Sequence, residues 1–420
     1  MLPRTQAGAV IATLFFLGAA AAAKASVPDL HDFPLAIYYP VRAMLDGGNP
    51  YDRVSYLNHY PISQPFAPYA PGTLLLHLPF GLLSLAASSW FYTAFMAALT
   101  VVLAFLALKY NGLETRAPTV LLIAGVILLS RPGRMNFVAG NVTLQMVIAA
   151  YVALHYADRR PWLSGLGLAV ALLKVNFGGP LLIVLMAMGH LRAVSYGAGF
   201  AGILNLPAAM ILAHHSGGFA PLSAGLFKEV GAFQTGMAYN SPLLSPSRVD
   251  GVSLVSRLLG EPLGFPGQLL VAAVVFATAI WAIRAVSWKG HHRPTSLIVG
   301  IAGGTIVLSG YHQPYDLLIL TLPAVAAVYG CLPAALSRPA VRGSLLALYA
   351  LLAVNYLTSF RVLYRLGLTI EVSKLEYAVV TREPWVVALL ALNAIAVLAL
   401  QIIHLAGARI TGADSGRGSS

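Results

Sequence analysis

Stretches of mostly apolar residues recur from one end of this 420-residue chain to the other, separated by Gly, Pro or isolated charges. They fall at about 7–23, 71–87, 89–108, 118–130, 138–155, 161–173, 176–188, 196–213, 264–286, 295–310, 314–332, 341–358 and 385–405. A bilayer's hydrocarbon core takes roughly 20 helical residues to cross. The pattern therefore reads as an all-α polytopic membrane protein of about 11–13 transmembrane helices. Composition agrees: 58% of residues are hydrophobic and 10% charged, against roughly 25% charged in a soluble domain. The mean hydropathy of +0.77 applies to the whole chain, so two or three soluble domains, which the length alone would suggest, are excluded.

The formal charge is +12, from 26 basic and 14 acidic residues. The basic residues stand in ones and twos between apolar runs, as in the short loops beside membrane helices, and not in an aromatic-lined groove, which excludes nucleic acid as a partner. Cys331 is the only cysteine, so no intrachain disulfide forms. There is no Walker A loop, dinucleotide loop, His-Glu-x-x-His or cysteine pair, and the Ser-rich stretch 241–256 lacks a G-x-S-x-G elbow. No resident cofactor or metal is expected.

Arg4, the run 7–23 and Lys24 fit either a signal peptide or an uncleaved first span; the membranous remainder favours the span. Residues 26–69 form a polar first outer loop with a short interfacial helix over 33–45, stopped by Gly47-Gly48-Asn49-Pro50. Further outer loops are expected at about 214–262 and 361–384, in a single transmembrane domain over 1–408 followed by a disordered tail over 409–420. Arg284, Lys289, Arg293, Arg338 and Arg342 mark the cytoplasmic side. Strict alternation from there puts the first loop inside, whereas Arg4 puts it outside. Either 71–87, with Pro71 and Pro79, is a partial crossing, or 161–173 and 176–188 form one discontinuous span.

Few polar residues interrupt the apolar background, which makes each conspicuous. Asp32 follows the first span; it can face solvent, or sit at the rim of a membrane cavity where reduced solvation suits a general base. Asp29, three residues away, is its rival. Lys174 lies between two apolar runs and must snorkel, pair or meet an anion such as a lipid-borne phosphate, together with Asn176. The loop 131–141 carries Arg131 and leads to Asn141 and Gln145, which share a helix face and can serve helix contact or a polar head group. In Tyr311-His312-Gln313-Pro314-Tyr315-Asp316, His312 can bind phosphate or join a proton network with a carboxylate; a capped helix start is the plainer account.

The block Asp32-Phe33, Tyr38-Tyr39, Arg42-Ala43, Leu45-Asp46-Gly47-Gly48-Asn49-Pro50-Tyr51-Asp52 resembles the N-terminal signature of the bacterial polyprenyl-phosphate-sugar-dependent glycosyltransferases of family 87, of GT-C type. The resemblance continues at Tyr69-Ala70-Pro71-Gly72, Pro79-Phe80, Trp90, Gly140-Asn141-Val142-Thr143, Lys174 and the 311–316 junction. It implies a GT-C-like bundle in the cytoplasmic (inner) membrane, its site facing outside. A sugar, typically mannose, passes with inversion from a lipid-linked polyprenyl-phosphate donor to a lipid or glycan hydroxyl. Asp32 matches the general base, His312 a polar position near the cavity, and Lys174 and Arg131 would offset the phosphate charge. The chain departs from many relatives in carrying Asn141 for Gln, and Val175-Asn176 after Lys174 in place of a proline-containing continuation. A transporter or lipid flippase is the alternative, since broken helices suit a translocation path. The donor sugar and acceptor are not specified by these residues.

Overall fold

The computed structural model describes residues 4–25, 30, 32–62, 64–235, 240–285, 295–373, 376–379 and 383–417. Asp29, Lys289 and Arg293 lie outside the described residues. The protein is a helix-rich, multi-pass membrane protein. Its first helix, α1 (Arg4–Ala25), turns Ala12, Ala19 and Ala23 inward. The first loop then folds back: a π-helical turn (Pro34–Tyr38) runs into α2 (Tyr39–Leu45), and Gly47, at φ +83°, reverses the chain beyond it. Asp52 caps α3 (Arg53–His59) by accepting from the Ser55 N–H.

The run at 71–87 breaks at His77 into α4 (Gly72–Leu76) and α5 (Leu78–Gly81). At about 1.5 Å per residue neither crosses a bilayer, which removes this run from the span count. The chain continues through α6 (Leu85–Lys109), α7 (Ala117–Leu129) and α8 (Arg131–Ala139). The last two meet at an 80° bend, where the Ser130 hydroxyl accepts from the Gly133 N–H and starts α8 afresh. Next come α9 (Thr143–Tyr156), α10 (Pro161–Ala171), α11 (Val175–Ala187), α12 (Leu191–His215), α13 (Phe219–Thr235), α14 (Gly251–Leu259), α15 (Phe265–Ala285) and α16 (Thr295–Ser309). A 3-10 segment (Pro314–Leu320) leads into α17 (Thr321–Tyr329), α18 (Pro339–Val354) and α19 (Phe360–Arg365). A small antiparallel hairpin, β1 (Thr369–Ser373) with β2 (Glu376–Val379), precedes α20 (Pro384–Arg417). That last helix continues through the described part of the stretch expected as a disordered tail.

Among the described residues five helices are individually long and apolar enough to cross: α1, α6, α12, α15 and α20; the bent pair α7–α8 makes a sixth at most. Six shorter apolar helices of 10–17 residues accompany them. The expected 11–13 full crossings are therefore not reached by length. The apolar runs are there, but Gly, Pro and single polar residues cut them into pieces, as at Leu172-Leu173-Lys174 between α10 and α11.

One hydrophobic cluster extends from Phe16 to Ala408. α9 and α16 lie inside it, α16 being buried from Ser296 to Leu308. α10 packs between α9 and α12, and α16 against α20. Close approach is the rule: a Cβ on Gly167 would lie 2.5 Å from the Ala149 carbonyl, so α10 and α9 meet backbone to backbone.

Candidate functional site

Four helix breaks meet at one place, and each delivers polar side chains that an unbroken helix would have turned to lipid or to its neighbours. Asp32 stands at the start of the helical turn that leads to α2, half-buried, beside Phe33, whose ring stacks on Tyr92 at 4.7 Å. Asn141 and Thr143 come from the break between α8 and α9. Gly140 makes that break: it adopts φ +72°, and a Cβ there would fall 2.9 Å from the Phe33 Cβ, so the turn and the close approach of the first loop both select glycine. Lys174 sits between α10 and α11, and His312 and Asp316 between α16 and the 3-10 segment.

Their side chains form one connected path. The Asn141 amide donates to Asp32 Oδ2 at 2.9 Å. Asn141 Oδ1 accepts from the Thr143 N–H at 3.1 Å. The Thr143 hydroxyl lies 2.9 Å from Asn141 Oδ1 and 3.0 Å from Asp316 Oδ1, so its single proton serves one or the other. Lys174 Nζ donates to Thr143 Oγ1 at 3.0 Å and pairs with Asp316 Oδ1 at 2.5 Å. His312 Nδ1 meets Asp316 Oδ2 at 3.0 Å, and its Nε2 faces the Asn176 carbonyl at 3.2 Å.

Lys174 and Asp316 are almost wholly buried, and a buried pair of this kind is stable only when both partners are fully hydrogen-bonded. Asp316 meets that requirement by also accepting from the Gln313 N–H at 3.1 Å. It thus caps the 3-10 segment while pairing with Lys174, and the helix-start and network readings of the 311–316 junction hold together. The Lys174 ammonium lies 5.1 Å from the centre of the Tyr315 ring. The Asn176 side chain donates to the Tyr311 carbonyl at 2.6 Å and ties the start of α11 to the same junction.

Arg131 is elsewhere. Its guanidinium, 1% exposed, donates to the Asn355 carbonyl at 2.7 Å, to the Thr358 carbonyl at 2.9 Å and to the Thr358 hydroxyl, fastening α8 to the end of α18. The structure does not bring it to Lys174. Gln145 sits in the first turn of α9, whereas Asn141 precedes the helix, so the two do not share a helix face; the Gln145 amide donates to His77 Nε2 at 2.9 Å, while His77 Nδ1 donates to the Thr73 carbonyl at 2.8 Å.

A clamp before α14 was missed by sequence reasoning. Asp250 binds Arg248 through both oxygens at 2.7 and 2.8 Å and also accepts from the His312 N–H at 3.3 Å. The Arg248 guanidinium lies over the Tyr311 ring at 5.1 Å, and the Tyr311 hydroxyl donates to Asn240 Oδ1 at 2.6 Å. The available signal was Arg248 and Asp250 two apart in a loop otherwise poor in charge. In the first loop, Tyr60 donates to Asp46 at 2.9 Å; burial first, and then that carboxylate, push its phenol above the usual value and keep it a donor. Among the described residues no group of three His, Cys, Asp or Glu is placed to hold a metal ion.

Residues 66–310, more than half of the chain, match the model of glycosyltransferase family 87. Asn141, Gln145, Lys174 and Asn176 fall within the matched stretch, Asp32 and His312 on either side of it. No curated protein and no solved structure matches the chain.

Proposed function

The chain belongs to glycosyltransferase family 87, and we propose that it moves a hexose, in the first instance mannose, from a polyprenyl-phosphate donor to a hydroxyl of a lipid or glycan acceptor at the outer face of the cytoplasmic membrane. The observation that carries this reading is the unbroken path from the Asp32 carboxylate to the Lys174 ammonium and the His312 ring. A transfer of this kind needs a base at one end and charge compensation at the other.

Asp32, oriented by Asn141, takes the proton of the acceptor hydroxyl as its oxygen bonds to the anomeric carbon. The bond from that carbon to the phosphate oxygen breaks, and its electron pair leaves with the polyprenyl phosphate. Attack opposite the leaving group inverts the anomeric centre. The phosphate gains charge as it departs, and the Lys174 ammonium stabilises it, with the His312 ring beside it as a further hydrogen-bonding group. Arg131, committed to α18, takes no part in this reading.

The test is sugar transfer from radiolabelled polyprenyl-phosphate mannose by purified protein in liposomes supplied with a host lipid extract. Asp32→Asn is expected to lower the rate by roughly 10²–10⁴-fold, the usual contribution of a general base. Transfer unchanged in the folded variant would remove Asp32 from the mechanism and direct attention to Asp29. Donor binding without transfer by the wild type would favour a lipid carrier.

A further inference from the structure

Three buried polar atoms next to the Asp32 site have no hydrogen-bond partner: Thr73 Oγ1, Tyr92 Oη and Gln145 Oε1. Their residues are 2%, 0% and 8% exposed, and all three surround His77, which is 1% exposed. The arrangement around that imidazole is consistent. His77 gives its Nδ1 proton to the Thr73 carbonyl, so Nε2 accepts from the Gln145 amide and leaves the Gln145 carbonyl oxygen over. The Tyr92 ring lies 6.2 Å from the His77 ring.

The place of this chamber follows from α9. Asn141, in the break before α9, touches Asp32, and Gln145, in the first turn of α9, meets His77. Tyr92 closes the gap: its ring stacks on Phe33, the neighbour of Asp32, and its hydroxyl lies within electrostatic reach of Asp32 and Tyr69. Each unpartnered buried polar atom carries the full cost of its lost hydration. Three of them stand around one imidazole, beside a carboxylate, each with hydrogen-bonding capacity that the protein leaves unused.

We propose that Thr73, His77, Tyr92 and Gln145 form a recognition chamber for a hydroxyl-bearing sugar ring, and that it sets sugar specificity at the Asp32 site. This rests on the glycosyl-transfer reading. The Thr73 and Tyr92 hydroxyls each donate or accept, and Gln145 Oε1 accepts, so a ring offering adjacent hydroxyls meets all three. The three atoms are out of contact with solvent, and the ring reaches them by parting the Phe33–Tyr92 stack.

Tyr92→Phe and Thr73→Val each remove one hydroxyl at nearly constant volume. If these groups only fill space, losing an unpartnered hydroxyl leaves stability unchanged or higher and alters no binding. The full-length chain in detergent is titrated with polyprenyl phosphate bearing mannose, glucose or arabinose, with sugar-free polyprenyl phosphate, and with methyl mannoside; melting is followed in parallel. The expected result is tighter binding of one sugar-bearing lipid than of the sugar-free lipid, an advantage that falls roughly tenfold in each variant while sugar-free binding and melting hold. A loss confined to methyl mannoside assigns the chamber to the acceptor sugar. Variants that bind every probe like the wild type overturn the proposal, as does a wild type with no preference for any sugar. Because binding is read without transfer, sugar preference in a protein that never transfers sugar sinks the enzyme reading alone, and transfer without preference sinks the chamber alone.

Discussion

Two buried polar regions of this molecule are built from similar residue types and do different things. At the Asp32 centre the polar groups come from helix breaks, are charged, and join into one path. Between α16, α18 and α20 they sit on unbroken helices, are uncharged or lone, and meet in pairs, Tyr349 with His404 at 3.2 Å and Gln401 Nε2 with Thr305 at 3.1 Å, while Gln401 Oε1 has no partner. There the helices approach through glycine, since a Cβ on Gly300 would meet the His404 ring at 2.7–2.9 Å. Here a side chain on an intact helix reaches across to the next helix, and these pairs act as adhesion. A residue at a break has a free backbone and can converge with others from several directions. Breaks, and not polarity alone, mark where these charged groups converge.

Lys174→Met is the hardest test of that contrast. It leaves Asp316 buried against His312 alone and is expected to cost about 3–5 kcal/mol in thermal or denaturant unfolding. Transfer should be abolished even where the variant still folds, and the double variant Lys174→Met with Asp316→Leu should regain stability but not transfer. Asn141→Leu removes one hydrogen bond to a carboxylate, about 1.5–3 kcal/mol. Its expected effect is a drop of roughly 10–100-fold in kcat, together with about 1–3 kcal/mol of stability because the buried Thr143 N–H also loses its acceptor. In the other region only stability should fall. Gly300→Ala forces a methyl against a packed ring and should cost about 1–3 kcal/mol of stability, with transfer per folded molecule unchanged. His404→Phe leaves the buried Tyr349 hydroxyl without its partner and should cost about 1–3 kcal/mol of stability while leaving kcat alone. A large kcat loss in either of these last variants would break the division between the two regions.

Much of the helical frame was legible. The apolar runs at 89–108, 196–213, 264–286 and 385–405 locate α6, α12, α15 and α20 to within a few residues at most of their ends. The number of crossings was not, because hydropathy does not say where a run breaks; Lys174 and the prolines at 71 and 79 divide apolar sequence into helices too short to span. Charge scarcity exposed Asp32, Lys174 and the 311–316 junction. Nothing local could join them, since the partners of Lys174 lie 31 and 142 residues away. His77 was passed over although it stands alone in Leu74-Leu75-Leu76-His77-Leu78, and Tyr92 and Thr73 look like ordinary interfacial and apolar-run residues until their neighbours are seen. Arg131 shows the converse: a guanidinium beside a polar loop, attractive in sequence, serves to hold two helices together.

The ion pair at the centre also has a history in time. Lys174 leaves the ribosome 142 residues before Asp316. At synthesis rates of roughly 5–20 residues per second, that is about 7–28 s during which an ammonium group must be housed in or beside the bilayer without its counter-ion. Until α16 and the segment after it are inserted, the nascent chain is held by its apolar helices alone, and Lys174 must wait at the water interface or in the insertion machinery. Only the arrival of Asp316 lets the break between α10 and α11 settle inside the protein, so the centre is among the last parts of the molecule to mature.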